Sequence, residues 1–335
     1  VIVELNLFCP FYEDNIWDLS PMNARNNVNW IGKIARTNVY TLDRNGALLG
    51  VQEQMVRKIV TELKDFDNVY YEICNEPYFG GVTIEWQRHI ADIITETELP
   101  LRVRHLISQN IANEKAQIQN PHPEVSIFNF HYATPPDTVA MNYGLNRVIG
   151  DNETGFRGTN DAAYRMEAWD FIVAGGGLFN NLDYSFTVKH EEGTFIYPAK
   201  QPGGGSIELR KQLKFLAGIL RSLDFVHMQP ANQAVKSQLP PGISVRVMAR
   251  PGEDYLVYLH GPREQPRGDR SSYRDGEIYL DLALPSGEFK AEWLDTQACC
   301  PRGQAQFTQW DGGRKFSVPA FEEDIALLVR RRTAE

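Results

Sequence analysis

The sequence has few of the residues that define several common classes of protein. Its four cysteines form no Cys-x-x-Cys pair and are too few for a disulfide scaffold in a chain of 335 residues. The seven histidines include neither His-x-His nor His-Glu-x-x-His, so the sequence gives little support to a metal-dependent hydrolase. No Gly-x-Ser-x-Gly turn is present, which argues against a serine hydrolase of the usual strand-turn-helix type.

Positive charge and long apolar runs are also scarce. The 34 Lys and Arg residues are outnumbered by 43 Asp and Glu residues, and the net charge of -9 repels the phosphates of nucleic acid. No apolar run approaches the roughly 20 residues that a membrane-spanning helix needs. We therefore expect no nucleic acid partner, no membrane span and no cofactor or metal, and we expect a monomer.

Two periodicities divide the chain. Up to about residue 225, strand-like runs alternate with helix-period segments, which predicts βαβ units and a parallel sheet. After Pro230 apolar residues recur at every second position, which is typical of a small antiparallel β-sandwich. We predict two domains, 1–229 and 230–335, with an exposed hairpin loop over 262–276. The parallel strands are predicted at 1–8, 69–74, 102–109, 125–130, 147–151 and 177–182.

Two glutamates follow predicted strands at the end where parallel barrels gather their catalytic groups. Glu76 follows one apolar run and precedes Pro77, and Glu153 follows another and precedes Thr154 and Gly155. Cleavage of a glycosidic bond needs one carboxylic acid to protonate the leaving oxygen and one carboxylate to attack the sugar or activate water. The two glutamates therefore predict a glycosidase.

The residues around both glutamates resemble the retaining glycoside hydrolases of clan A, which are (β/α)8 barrels. Asn75-Glu76-Pro77 is similar to their signature after the fourth strand, and Glu153-Thr154-Gly155 is similar to their nucleophile turn after the seventh. The six predicted strands then correspond to strands three to eight, so we expect an α/β fold, a TIM-type barrel lacking its first two strands, followed by the β-sandwich. The resemblance covers residues 1 to about 225 and is greatest to the cellulase-like family 5 enzymes.

The resemblance implies roles for five residues. Glu76 would be the general acid/base, Glu153 the nucleophile, and Asn75 the group that hydrogen-bonds the sugar 2-hydroxyl. His131 and Tyr132 would line the reacting subsite, although neighbours on a regular strand point to opposite sides, which favours His131. An interior histidine with a purely structural role is the alternative for His131.

Five further residues are candidates for contact with the sugar. Gln109, Asn181 and Asp183 come at the ends of predicted strands and could bind substrate hydroxyls, with a cap or turn role as the alternative. Trp17 and Trp30 lie in the long segment after the first strand, where such loops often form a binding wall. Each tryptophan either stacks on a sugar ring or simply packs.

Asp151 shares the strand face of Glu153, but only Glu153 has a glycine two positions later, so we interpret Asp151 as a supporting carboxylate. The resemblance implies a retaining, metal-independent hydrolase that cleaves a β-linked polysaccharide or oligosaccharide, a substrate class that favours an extracellular or periplasmic location. The rival hypothesis is a catalytically silent carbohydrate-binding barrel. For the C-terminal domain we favour packing against the barrel over carbohydrate binding.

Overall fold

The structure is a computed structural model that describes residues 1–197, 203–263, 273–274, 276–310 and 312–332. The predicted hairpin loop over 262–276 lies largely outside these described residues. Among the helices that the described residues form, none is both long enough and apolar enough to cross a bilayer.

The first half of the chain builds a six-stranded sheet in which the strands follow one another in chain order. Neighbouring strands pair in parallel wherever a register is defined, as in the pairs Val3 with Val69, Tyr71 with Ile107, and Ser108 with Ile127. This order, with helices between the strands, confirms the predicted partial (β/α) barrel. The strands are β1 (Val3–Asn6), β2 (Val69–Glu72), β3 (Ile107–Asn113), β4 (Ile127–His131), β5 (Val148–Glu153) and β6 (Leu178–Phe179).

Helices connect these strands and follow them. Several of these helices bury residues that lie three or four positions apart, as the 3.6-residue period predicts. The helices are α1 (Asp14–Leu19), α2 (Leu49–Leu63), α3 (Ile84–Leu101), α4 (Asp137–Asn142), α5 (Asp161–Val173) and α6 (Ile207–Arg221).

Two of the predicted parallel strands differ from the structure. Helix α3 continues through Pro100 to Leu101 and ends at Arg102, which has a positive φ of 57°. The apolar alternation after Leu99 therefore belongs partly to a helix end, and β3 begins at Ile107 instead of residue 102. Strand β6 is only two residues long, so most of the predicted 177–182 strand is loop.

The C-terminal part is antiparallel, as the two-residue period predicts. One sheet has the order β12-β11-β14-β9-β8-β7 and a second pairs β10 with β13, which confirms the predicted β-sandwich. The strands are β7 (Gln229–Pro230), β8 (Ser244–Arg250), β9 (Asp254–His260), β10 (Tyr279–Leu284), β11 (Gly287–Asp295), β12 (Cys300–Gln309), β13 (Gly312–Ser317) and β14 (Asp324–Arg331).

The chain forms two compact units, one of residues 1–131 and 141–150 and the other of residues 132–140 and 151–335. The second unit contains α5, α6 and the sandwich. Strands β9 and β14 of its six-stranded sheet are buried on both faces. On β9, Val257 lies in the core shared with the two-stranded sheet, while Leu256 packs with α5 and α6. The predicted domain border at 229 and 230 stays a prediction.

Candidate active site

Glu76 comes four residues after the last residue of β2, where the chain leaves the carboxyl end of the strand. Its φ is 40°, in the left-handed region that residues with a Cβ rarely adopt. Backbone strain of this kind is concentrated at functional sites, where the surrounding structure holds it in place. The side chain of Glu76 is 14% exposed, so it is largely shielded yet open to a ligand.

Three donors surround the Glu76 carboxylate. His131 Nδ1 lies 3.4 Å from Oε1, the Tyr12 hydroxyl donates to Oε2 at 2.6 Å, and the Tyr78 hydroxyl donates to Oε1 at 3.3 Å. The contact with His131, followed by those with Tyr12 and Tyr78, holds the pKa of Glu76 below its ordinary value, although burial opposes this shift. These contacts therefore favour the carboxylate form of Glu76.

Tyr12 is a central residue of this cluster. Its hydroxyl accepts a hydrogen bond from Asn75 Nδ2 at 3.3 Å and lies 3.6 Å from the Cys9 sulfur. Burial, the bond to Glu76 and the Cys9 thiol raise the pKa of Tyr12 far above its ordinary value, so the phenol stays protonated and remains a donor to Glu76. Asn75, which the resemblance assigns to the sugar 2-hydroxyl, thus also helps to hold Tyr12.

Aromatic rings form an exposed row beside Glu76. The ring of Phe79 lies 5.8 Å from that of Tyr12 and 4.9 Å from that of Tyr78. All three side chains are exposed to solvent. Aromatic faces with polar edges suit a ligand that has both apolar C–H faces and hydroxyl groups, as sugars do.

Glu153 is the last residue of β5, and Tyr132 holds it through two contacts. The Tyr132 hydroxyl donates to Glu153 Oε1 at 2.5 Å, and its backbone N–H donates to the carbonyl oxygen of Glu153 at 2.8 Å. Tyr132 has a φ of 56° and lies just after β4, so the strand alternation that favoured His131 alone does not extend to it. The turn directs the Tyr132 side chain to the nucleophile candidate.

Two buried carboxyl groups lie behind Glu153. Asp151, two residues earlier on the same face of β5, is fully buried, and Glu167 of α5 is 5% exposed. Burial, reinforced by the charge of Glu167, raises the pKa of Asp151 well above its ordinary value. Burial also raises the pKa of Glu167 to about 7, although Arg157 and Arg263 oppose the shift. This pair therefore retains a proton near neutral pH, which limits the negative charge behind Glu153.

Two of the predicted sugar-binding residues are engaged elsewhere. Gln109 lies within β3, not at its end, and its amide donates to Gln87 of α3 at 3.0 Å, so it faces the helix layer. Trp17 is 5% exposed, donates to the carbonyl of Ile34 at 3.1 Å and packs edge-on against Phe11. Gln109 and Trp17 are thus held by partners within the protein, and their contact with sugar stays a prediction.

The other candidates lie in loops. Trp30 is 79% exposed, so its ring is accessible. Asn181 accepts a hydrogen bond from the Thr154 hydroxyl at 2.9 Å, which links it to the residue after Glu153. Asp183 bonds the backbone of Ser185 and pairs with Arg210 at 2.9 Å, which is the turn role given as its alternative. Asn181 and Trp30 remain predicted contacts.

Sequence reasoning missed Tyr12, Tyr78 and Phe156. Phe156 is 67% exposed, and its ring lies 5.5 Å from that of Tyr132. Tyr78 and Phe156 follow the two glutamates by two and three residues, so proximity in sequence could have indicated them. Tyr12 is separated from Glu76 by 64 residues, and only its position after β1 pointed to the same edge of the sheet.

A parallel sheet with glutamates after its second and at the end of its fifth strand, followed by a β-sandwich, has the architecture of the clan A glycoside hydrolases. No family model matches the sequence, and no curated protein does. The chain is similar to a solved structure described as a glycoside hydrolase, with a TM-score of 0.59 and 15% identity over 86% of this chain and 70% of that one. It is also similar to a glycoside hydrolase family 5 structure from Bacteroides vulgatus, with a TM-score of 0.58 and 13% identity over 85% of this chain and 68% of that one. At these identities the similarity establishes the fold, and it confirms the predicted family 5-like architecture.

Proposed function

We propose that the protein is a retaining glycoside hydrolase that cleaves β-linked polysaccharides or oligosaccharides, with Glu76 as the acid/base and Glu153 as the nucleophile. The observation that carries this proposal is the arrangement of one phenol donor on each glutamate, Tyr12 on Glu76 and Tyr132 on Glu153. Retaining enzymes hold their two carboxyl groups about 5 to 5.5 Å apart, and we expect this separation here.

In the first step, a carboxylate oxygen of Glu153 attacks the anomeric carbon while the bond to the leaving oxygen breaks. Glu76, in its acid form, gives its proton to that oxygen. The Tyr132 hydroxyl bonds Oε1 of Glu153, so it orients the carboxylate and takes up part of its charge. The product of this step is a covalent glycosyl ester on Glu153.

In the second step, Glu76 acts as a base. It removes a proton from water, the water oxygen attacks the anomeric carbon, and the ester bond to Glu153 breaks with net retention. The donors from Tyr12, Tyr78 and His131 stabilise the charged form of Glu76 and thus suit this step. The same donors disfavour the acid form, so we expect the activity to be greatest at acidic pH.

For substrate contact, we propose that the exposed row of Tyr12, Tyr78 and Phe79 stacks on a sugar ring and that Trp30 extends this surface. Asn75 would bond the 2-hydroxyl of the reacting sugar. A polysaccharide substrate would place the protein outside the cytoplasm.

The experiment that tests the proposal compares Glu153→Ala with Glu76→Ala in the full-length gene product, using 2,4-dinitrophenyl β-glycosides. Loss of the nucleophile should abolish turnover on every substrate. Loss of the acid/base should leave glycosylation intact with this leaving group, because 2,4-dinitrophenolate needs no protonation, and the covalent intermediate should accumulate. Intact-mass spectrometry would show the added sugar in Glu76→Ala alone.

Azide then distinguishes the two roles. It needs no general base, so it should restore turnover of Glu76→Ala and give a glycosyl azide of retained configuration. With Glu153→Ala, azide can replace only the missing nucleophile, and any product should be inverted. The opposite pattern would exchange the roles of the two glutamates. Sugar binding without hydrolysis by the unmodified protein would support the silent carbohydrate-binding barrel.

A further inference from the structure

One arginine of the C-terminal part contacts two segments that support Glu153. Arg263 follows β9 by three residues, and its Nη1 donates to the Thr134 hydroxyl at 2.7 Å. Its Nη2 forms an ion pair with the Asp170 carboxylate on α5. A guanidinium presents several donors in one rigid plane, so it can hold both partners at once. Arg263 thus joins α5 to the turn that follows β4.

That turn carries Tyr132. The Thr134 N–H donates to the carbonyl of Tyr132 at 2.8 Å, and the Tyr132 N–H and hydroxyl both donate to Glu153. The φ of 56° at Tyr132 is unfavourable for a residue with a Cβ, so the turn needs support from its neighbours. A continuous series of polar contacts therefore runs from Arg263 through Thr134 and Tyr132 to Glu153.

The same arginine also balances buried negative charge. Asp170 lies one turn after Glu167 on α5, both are at most 5% exposed, and Arg246 of β8 bonds Asp170 at 2.8 Å. A buried carboxylate that loses a cationic partner is strongly disfavoured in its charged form. The charged and titratable groups that surround Arg263 are Asp137, Arg157, Glu167, Asp170, Arg246 and His260.

We infer that Arg263 is a positioning residue for Glu153, because it fixes, through Thr134, the strained turn that aims the Tyr132 hydroxyl at the nucleophile. The inference rests on the proposed role of Glu153. It makes the β-sandwich part of the catalytic apparatus rather than an appended module. A sandwich that served only to bind carbohydrate would have no need of a partly buried arginine that bonds this turn.

The test compares Arg263→Met, Arg263→Lys and Thr134→Val with the control Arg250→Met in the full-length gene product. Arg250 is also an arginine of the sandwich that pairs with an aspartate, Asp224 at 3.0 Å, but it does not contact the Tyr132 turn. The probes are the 2,4-dinitrophenyl β-glycosides of glucose, xylose, mannose and cellobiose. The readouts are the pH profile of kcat/KM and hydrogen–deuterium exchange of the peptide spanning 130–136.

Arg263→Met should lower kcat/KM by about 10- to 100-fold, mostly through kcat, because even a small misplacement of a reacting group slows the chemical step. Exchange of the 130–136 peptide should accelerate. Thr134→Val should move both readouts in the same direction, and Arg263→Lys should recover part of the loss.

If Arg263→Met and Arg250→Met share one pH profile and one exchange rate for 130–136, the inference is wrong. Thr134→Val retains every charge, so it decides the matter if Arg263→Met fails to fold. If the unmodified protein hydrolyses none of the four probes, the proposed function fails. In that case the exchange data alone decide whether Arg263 holds the turn.

Discussion

The two candidate catalytic glutamates stand in contrasting surroundings. Glu76 accepts hydrogen bonds from donors on three separate segments, and these donors lower its pKa. Glu153 accepts the phenol of Tyr132 and lies in front of Asp151 and Glu167, whose pKa values are raised by burial. The carboxylate of Glu76 is thus stabilised by the hydrogen-bond donors around it. The carboxylate of Glu153 meets less repulsion because Asp151 and Glu167 retain a proton.

This contrast follows from what each residue must do. A nucleophile needs one orientation and a negative charge that its neighbours do not oppose, and protonated carboxyl groups behind it add little repulsion. An acid/base changes its protonation in each half of the reaction, so donors that favour the carboxylate assist only one half.

The largest expected effect comes from Tyr132→Phe, which removes the donor on Glu153 and retains the ring. We expect kcat/KM on a 2,4-dinitrophenyl β-glycoside to fall by about 100-fold, since a hydrogen bond to developing or departing charge is worth several kcal/mol. Tyr279→Phe, at an exposed position of β10, is the matched control. Equal values of kcat/KM for the two variants would show that the Tyr132 hydroxyl has no part in the mechanism.

A smaller effect, with a change in the pH profile, is expected for Tyr12→Phe. Loss of this donor removes one of the contacts that lower the pKa of Glu76, so the acid form of Glu76 should persist to higher pH. The alkaline limb of kcat/KM should therefore move upward, and kcat should fall about 10-fold as Glu76 loses orientation. A shift of the acidic limb instead would contradict the assignment of Glu76 as the acid.

The order of the strands and the position of both glutamates could be predicted from the sequence. Apolar period and strand-end position are local signals, and Asn75-Glu76-Pro77 and Glu153-Thr154-Gly155 each lie within three residues. The predicted sandwich followed from a two-residue period, which strands such as β10 keep because one of their faces is more deeply buried than the other. Local patterns of this kind are the most reliable part of sequence reasoning.

The partners of the glutamates could not be predicted in the same way. Tyr12 meets Glu76 across 64 residues, and Arg263 meets Thr134 across 129, and no local pattern marks either pair. The role of Tyr132 was obscured because a positive φ broke the alternation that a regular strand would have. Gln109 was misplaced because helix α3 used residues that looked like the beginning of a strand.

The buried carboxyl pair predicts how stability depends on pH. The pKa of Glu167 rises from 4.5 to about 7 in the folded protein, so the native state binds this proton more tightly than the unfolded chain. The free energy of unfolding should therefore fall as the pH rises from about 4.5 to about 7. Glu167→Gln cannot lose a proton, so its stability relative to the unmodified protein should increase over this range. Denaturant unfolding at several pH values measures the difference.

The exposed Glu208, which pairs with Lys211 at 2.7 Å, offers a control for that measurement. Glu208→Gln should leave the slope of stability against pH unchanged in the same window. If the free energy of unfolding of Glu167→Gln fell with pH as steeply as that of the unmodified protein, another group would carry the proton that titrates in this range. Asp151 would then be the next residue to substitute.

The smallest expected effect comes from a comparison of two exposed tryptophans, one in the barrel and one in the sandwich, either of which could contact carbohydrate. Trp30, in the loop region after β1, and Trp310, after β12 of the sandwich, are 79% and 78% exposed, so they form a matched pair. If only the barrel contacts substrate, Trp30→Ala should raise KM for a soluble β-glucan or xylan about two- to fivefold through lost stacking, while kcat stays unchanged. Trp310→Ala should alter neither constant. Weaker pull-down on insoluble polysaccharide for Trp310→Ala, with unchanged kinetics on small aryl glycosides, would instead show that the sandwich binds carbohydrate in addition to supporting Glu153.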